Sequence, residues 1–459
     1  MRWLATVIAF AVAMLWLARP ADAHVGSPDV FFDGDAGPYA LAVTVRVPQV
    51  IPGVAELEIR SASPDVSAMT VVPLRLTGPG SELPPTPDVA DRSADDPQFF
   101  TASLWLMESG SLQVRIAVDG ARGHGELAVP IPAAAQRTLP MDRGLGTLLL
   151  ALMLVLALAV IAILGAAVRE AALEPGAQPA ARARRAAAIM IASASIVVAG
   201  LLWFGNSWWN DDAAEFASHI GKPWQMAPRV DGCTLRIPNV LRTIVPDHGH
   251  DMHLFVARVP DLGVVAHLHP ALDPATAELV EPLPPLPAGR YALFGDVVMP
   301  SGFPVTGTAQ LDLPDLSACA PAGGDDATWA GEPAPDVRFD APPGGFHAGI
   351  AGELRFHAVD GNGRPATDVR AYMGMAGHAM VVRDDLGVFA HLHPYGSVAM
   401  PALMMAGTPH AMYGDAKPIP PDLAFPYGFP TAGRYHVFLQ LRRAGGRIET
   451  VAVPVEVLP

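Results

Sequence analysis

The stretch MHLFVARVPDLGVVAHLHP (Met252 to Pro270) returns further along the chain as GHAMVVRDDLGVFAHLHP (Gly377 to Pro394), and the two share D-L-G-V-x-A-H-L-H-P. Asp-Leu-Gly is turn chemistry between two apolar runs, so each copy predicts a β-hairpin. Side chains at i and i+2 share one face of a strand, so His267 with His269, and His391 with His393, each project from one side. Ala266 and Leu268, or Ala390 and Leu392, then point the other way, to a core. Counting outwards with Arg383 opposite Val388 places His378 opposite His393, with Met380 one step along the same face. The first copy has one more residue before its turn, which requires a bulge near Val259-Pro260 to bring His253 opposite His269.

The repeat extends beyond the hairpins. AGRYALFGDVV (Ala288 to Val298) returns as AGRYHVFLQLR (Ala432 to Arg442). Two copies of one β module follow, residues 222–319 and 346–459, joined by a Gly- and Pro-rich linker over 320–345. An insertion rich in Met and Pro separates Pro394 from Gly433 in the second copy. Cys233 and Cys319 bracket the first copy and are expected to pair in an oxidising compartment, since the spacing of a redox Cys-x-x-Cys is absent. Upstream, residues 24–141 alternate apolar and polar side chains in short runs such as YALAVTVRV (Tyr39 to Val47) and SLQVRIAV (Ser111 to Val118), broken by Pro and Gly. That period of two reads as an antiparallel β-sandwich.

The 459 residues are 51% hydrophobic and only 16% charged, and the surplus has clear destinations. Residues 1–23 have the pattern of a secretory signal peptide, with Arg2, an apolar run and Ala21-Asp22-Ala23; an uncleaved anchor is the alternative. Residues 145–168 and 186–204 are uncharged runs of membrane-spanning length. Arg169, Arg182, Arg184 and Arg185 place the loop 169–185 in the cytoplasm by the positive-inside rule. The three β modules are therefore expected on the periplasmic or extracellular face of a bacterial-type inner membrane. A net charge of −15 argues against nucleic acid, and two Cys exclude iron–sulfur and multi-Cys zinc modules. No phosphate loop, H-E-x-x-H or Ser-His-Asp pattern occurs, so no catalytic residue is assigned.

Fifteen His remain to be explained. His253, His267, His269, His378, His391 and His393 are the expected metal ligands, because neutral imidazole is the commonest metal ligand and several close together suit copper or zinc. Met375 and Met380 are expected as soft auxiliary ligands, with Met373 and His410 behind them, and His248 and His250 join from the entry to the first hairpin. Thioether sulfur favours Cu(I), which tilts the choice to copper. His24, exposed as an N-terminus if cleavage follows Ala23, forms with His124 a second candidate copper site. The competing readings are a polar strand face for the His and core filling for the Met.

An exported β-sandwich starting at Ala-His, followed by modules carrying M-x-G-H, H-L-H-P and P-x-G-R-Y elements, resembles the CopC-like and YtkA-like periplasmic copper-binding proteins. The resemblance implies immunoglobulin-like or cupredoxin-like domains and copper handling, and it matches His24 to the N-terminal His of that group. Blue-copper electron transfer is not expected, because neither Cys lies near the His cluster. The resulting expectation is a non-enzymatic, membrane-anchored copper-binding protein that buffers the metal, senses it or delivers it to an exported copper protein or membrane complex. The alternatives are a structural module of such a complex and a copper oxidoreductase with a histidine brace at His24.

Overall fold

A computed structural model describes residues 29–174, 176–218, 220–221, 223–408 and 419–459. The signal-peptide segment, His24 and His410 lie outside the described residues. Two units emerge, one from the described residues of Met1–Ala133 with Lys222–Pro459, the other Ala134–Gly221.

In the first unit the protein is mainly β, in several antiparallel sheets. Strands Val30–Ala36, Tyr39–Arg46, Gly53–Ser61 and Phe99–Leu106 line up side by side with the short Asp91–Arg92, and Val66–Arg75, Gly110–Gly120 and Gly123–Ala133 form a second sheet with Asp88–Val89. Alternation drives this: Tyr39, Leu41, Val43 and Val45 are buried while Ala40 and Ala42 are exposed.

The two repeats fold alike. In the first, Trp224–Gln225, Pro304–Leu313, Gly289–Val298, His253–Arg258 and Val265–Leu268 are neighbours in that order; in the second, Phe346–His347, Ile448–Leu458, Gly433–Arg443, His378–Arg383 and Phe389–Leu392 repeat it. Even the outermost short strand is parallel to its neighbour in both. The repeated A-G-R-Y has a local cause: Tyr291 Oη donates to Pro287 O at 2.9 Å and Tyr435 Oη to Thr431 O at 2.7 Å, each fixing the strand's entry. In each D-L-G turn the Asp carboxylate accepts from the Gly N–H, Asp261 from Gly263 at 3.1 Å and Asp385 from Gly387 at 2.9 Å. The intervening Leu262 and Leu386 adopt left-handed φ of 50° and 64°.

The hairpin registers follow the turns. Met380 lies opposite His391 and Ala379 opposite Leu392. In the first copy Phe255 lies opposite His267 and Leu254 opposite Leu268, with an unbroken ladder. The extra residue sits inside the turn, between Arg258, which bonds Val264 across it, and the return strand, so no bulge interrupts the strand as the residue count had suggested. The 320–345 stretch also does more than connect: Ala327–Trp329 adds an edge strand beside Val265–Leu268, and Val337–Asp340 pairs with Ala351–Ala358. Cys233 and Cys319 form a disulfide that closes the first repeat.

One face of each hairpin enters its own module's core, Leu254, Val256, Ala266 and Leu268 in the first repeat and Ala379, Val381, Ala390 and Leu392 in the second. The opposite faces pack on each other. Phe255, Ala257, Val265 and Phe294 meet Met380, Val382, Phe389 and Phe438 in one apolar seam, with the Phe294 and Phe389 rings stacked at 4.5 Å. The N-terminal sheet joins the second repeat through Asp33 N to Tyr395 O and Ser397 N to Phe31 O, both 2.9 Å.

In the second unit, helices Arg143–Glu170 and Ala181–Ser218 have the length and apolarity to cross a membrane. Their Leu, Ile and Val side chains are largely exposed, while Gly165 fits against Ile191 where a Cβ would collide at 2.6 Å. Small residues at such a contact let two membrane helices approach closely.

Candidate metal centre

The His faces of the two hairpins continue the apolar seam, so the two patches expected from sequence merge into one buried centre. His253 and His391, from different repeats, have ring centroids 5.0 Å apart, and His253 and His378 are 6.0 Å apart. Two triads have ligand atoms all within 4.8 Å of one another: His253, His267 and His391, and His248, His378 and His393. Each triad draws on both repeats. His253, His267, His378 and His393 are at most 2% exposed.

Burial, first, and the surrounding imidazoles, second, hold the pKa of these four rings well below the ordinary histidine value, so they are neutral at pH 7. A neutral ring carries one hydrogen and one lone pair. His267 Nδ1 faces Gln440 Oε1 at 2.7 Å and His253 Nε2 faces Asp247 O at 3.1 Å, and neither oxygen can donate, so both ring hydrogens are committed there. Two lone pairs, His253 Nδ1 and His267 Nε2, are thereby left pointing at each other across 3.3 Å. That is repulsive unless a cation lies between them. Two nitrogens each about 2.0 Å from one ion at a tetrahedral angle are about 3.3 Å apart.

The second triad shows the same deficit differently. Neither ring nitrogen of His378 has a hydrogen-bond partner among the described residues, and His391 Nε2 and His269 Nε2 are in the same position. Leaving such groups buried and unsatisfied costs about 1–3 kcal/mol each. The donor set and the orphaned atoms fit a metal with nitrogen preference.

The matched A-G-R-Y strands supply a second layer of contacts. Asp296 pairs with His253, and Gln440 with His378, at equivalent positions of the repeat. Each reaches the other repeat's hairpin: Gln440 to His267, and Asp296 Oδ2 to 3.6 Å from His391 Nδ1. Asp247 sits against His248 Nε2 at 3.6 Å, and burial, opposed by His391, pushes its carboxyl up to about 6. The His250 and His269 rings lie 4.0 Å apart beside the triads, tilted by 32°, and bond Asp325 and Asp326 at 3.0 and 2.8 Å. The His250 hydrogen bond, aided by Arg442 and opposed by burial, holds Asp325 down at about 2. A cavity of about 150 Å³ opens onto Asp247, Asp296, His391 and His393, with apolar walls that include Ile131 and Ala402.

The remaining candidates separate. Met380 lies in the apolar seam opposite His391. Met373 and Met375 occupy a buried turn in which Met375 N bonds Tyr372 O, and the Tyr372 ring is 5.2 Å from His378. His124 is exposed at the start of the Gly123–Ala133 strand, where its two nitrogens meet Asp119 at 2.9 Å and Glu126 at 3.4 Å.

Among known proteins, residues 334–458 match the profile of a domain of unknown function, DUF8832. No curated protein matches the chain. Solved structures that align include a tetra-tandem repeat from the extending region of a large adhesion protein (9% identity, 89% of this chain, 72% of that one, TM-score 0.16). The ICAM-5 D1–D4 ectodomain fragment aligns at 11% identity over 92% of this chain and 77% of that one, TM-score 0.16. Likenesses this distant carry no weight for the chemistry of the centre.

The supporting residues Asp247, Asp296, Tyr372, Asp325, Asp326 and Gln440 were not read from sequence. A signal for the merged centre did exist. HLFVAR and HAMVVR run apolar without alternation, which marks strands buried on both faces and so predicts a partner for the histidine side.

Proposed function

We propose that this protein binds copper in the histidine centre between its two repeats, on the extracytoplasmic face of the membrane that its helices cross, and buffers, senses or delivers the ion without catalysing a reaction. The observation that carries the reading is the pair of buried ring nitrogens, His253 Nδ1 and His267 Nε2, facing each other at 3.3 Å while the other nitrogen of each ring faces an oxygen. An apolar or structural role gives no reason to keep that arrangement. Nitrogen donors favour copper or zinc, and seven Met between Met373 and Met412 favour copper. The Arg-rich loop between the helices and the export-type N-terminus support the orientation. The sandwich-like modules and the H-L-H-P motifs support kinship with CopC-like and YtkA-like proteins.

The test is metal analysis of the full chain purified in detergent, after loading with copper, zinc or both in competition. Retention of copper in preference to zinc, lost in the double variant His391→Ala/His393→Ala, is expected. A chain that retains neither metal overturns the reading.

A further inference from the structure

Resting on the metal reading, we infer that the centre holds two copper ions side by side, a dinuclear site in which each ion takes three imidazoles, His253, His267 and His391 for one and His248, His378 and His393 for the other. The ligand atoms converge in two separate groups. Six imidazoles exceed what one tetrahedral ion can use, and the buried nitrogens left over would stay unsatisfied. His378 lacks partners on both ring nitrogens among the described residues, so a single ion in the first triad would leave its deficit untouched.

The two groups are also close. His391 and His393, which belong to different triads, stand two residues apart at the end of the Phe389–Leu392 strand with rings 4.7 Å apart, and His378 and His391 lie 5.3 Å apart across the same hairpin. An ion held about 2 Å from a ring nitrogen lies about 3 Å from that ring's centre, so ions on these two rings are neighbours, at most roughly 11 Å apart. Two nearby cations repel, and the site carries the opposing charge. Asp247 and Asp296 stand 3.6 Å from His248 and His391, one at each triad, and Asp325 and Asp326 lie behind His250 and His269. The cavity reaches His391 and His393 together, so it meets the pair between its ions and gives both one approach from outside.

The full chain in detergent, loaded with cupric ion, oxidised with ferricyanide and freed of excess metal, gives the decisive measurements. Two coppers per chain are expected, with a Cu(II) electron-spin spectrum split or broadened by the magnetic interaction of neighbouring ions. His267→Ala and His378→Ala should each retain one copper with the sharp spectrum of an isolated Cu(II). One copper per chain in the unmodified protein, or two with the spectrum of isolated ions, overturns the pair and leaves the copper reading standing. A chain that retains no copper overturns both. The unmodified protein decides the matter even if a variant misfolds.

Discussion

His378 concentrates the conflict between stability and binding in one side chain. It is 1% exposed, its ring has no hydrogen-bond partner among the described residues, and burial keeps it uncharged. Replacing it with Phe keeps a planar ring while removing two buried polar atoms that make no bonds. His378→Phe is therefore expected to stabilise the metal-free protein by about 1–2 kcal/mol and to lower its copper content. Denaturant unfolding of the metal-free protein and metal analysis of the loaded one check both halves. A destabilised variant that binds metal normally would mean that the ring is retained for packing. Functional sites are where a fold tolerates an unfavourable local arrangement of this kind.

At the scale of the element, the Val30–Ala36 strand shows how docking one sheet against another perturbs a carboxyl. Asp33 bonds Tyr395 through its backbone, and burial, reinforced by Glu353, raises its pKa to about 7. A carboxyl raised in the folded state binds more protons there than in the unfolded chain, so stability falls as pH rises from about 4 to 7 and is flat above. Asp33→Asn should then be nearly neutral at pH 4 and stabilising by about 1–3 kcal/mol at pH 8, read as a difference in melting temperature. An equal effect at both pH values would remove the burial explanation. The hairpins were more legible than this docking. Asp-Leu-Gly fixes the turn through the Asp carboxylate, and the turn fixes which residues face each other, so His378 and Met380 could be counted into place. The extra residue of the first copy was misplaced because a turn of five residues absorbs it as readily as a bulge does. Gln440 and Asp296 were invisible because a polar residue in a strand does not announce which neighbouring module it reaches.

For the whole molecule, the consequence of building each triad from both repeats is that an ion bound there would share one equilibrium with repeat packing. Neither repeat alone supplies three imidazoles to either triad, and the apolar seam is what holds the two His faces together. Phe294 is the residue to separate the effects. It is 3% exposed and stacks on Phe389 at 4.5 Å in the seam, on the face of its sheet opposite to its own module's core. Phe294→Asp places a charge in that seam without touching a histidine, whereas Phe294→Leu keeps it apolar. The first is expected to weaken copper binding at least about tenfold, corresponding to about 1.4 kcal/mol, and the second to change it little. Linkage demands the converse: copper at about a hundredfold excess over its dissociation constant should stabilise the native chain by about 2.7 kcal/mol for each ion bound. The melting temperature of Phe294→Leu should rise with copper as the native chain's does, and that of Phe294→Asp should rise by about half as much or less. Equal affinity in all three, with β content retained by circular dichroism, would show that one repeat binds metal alone and that the seam only carries it.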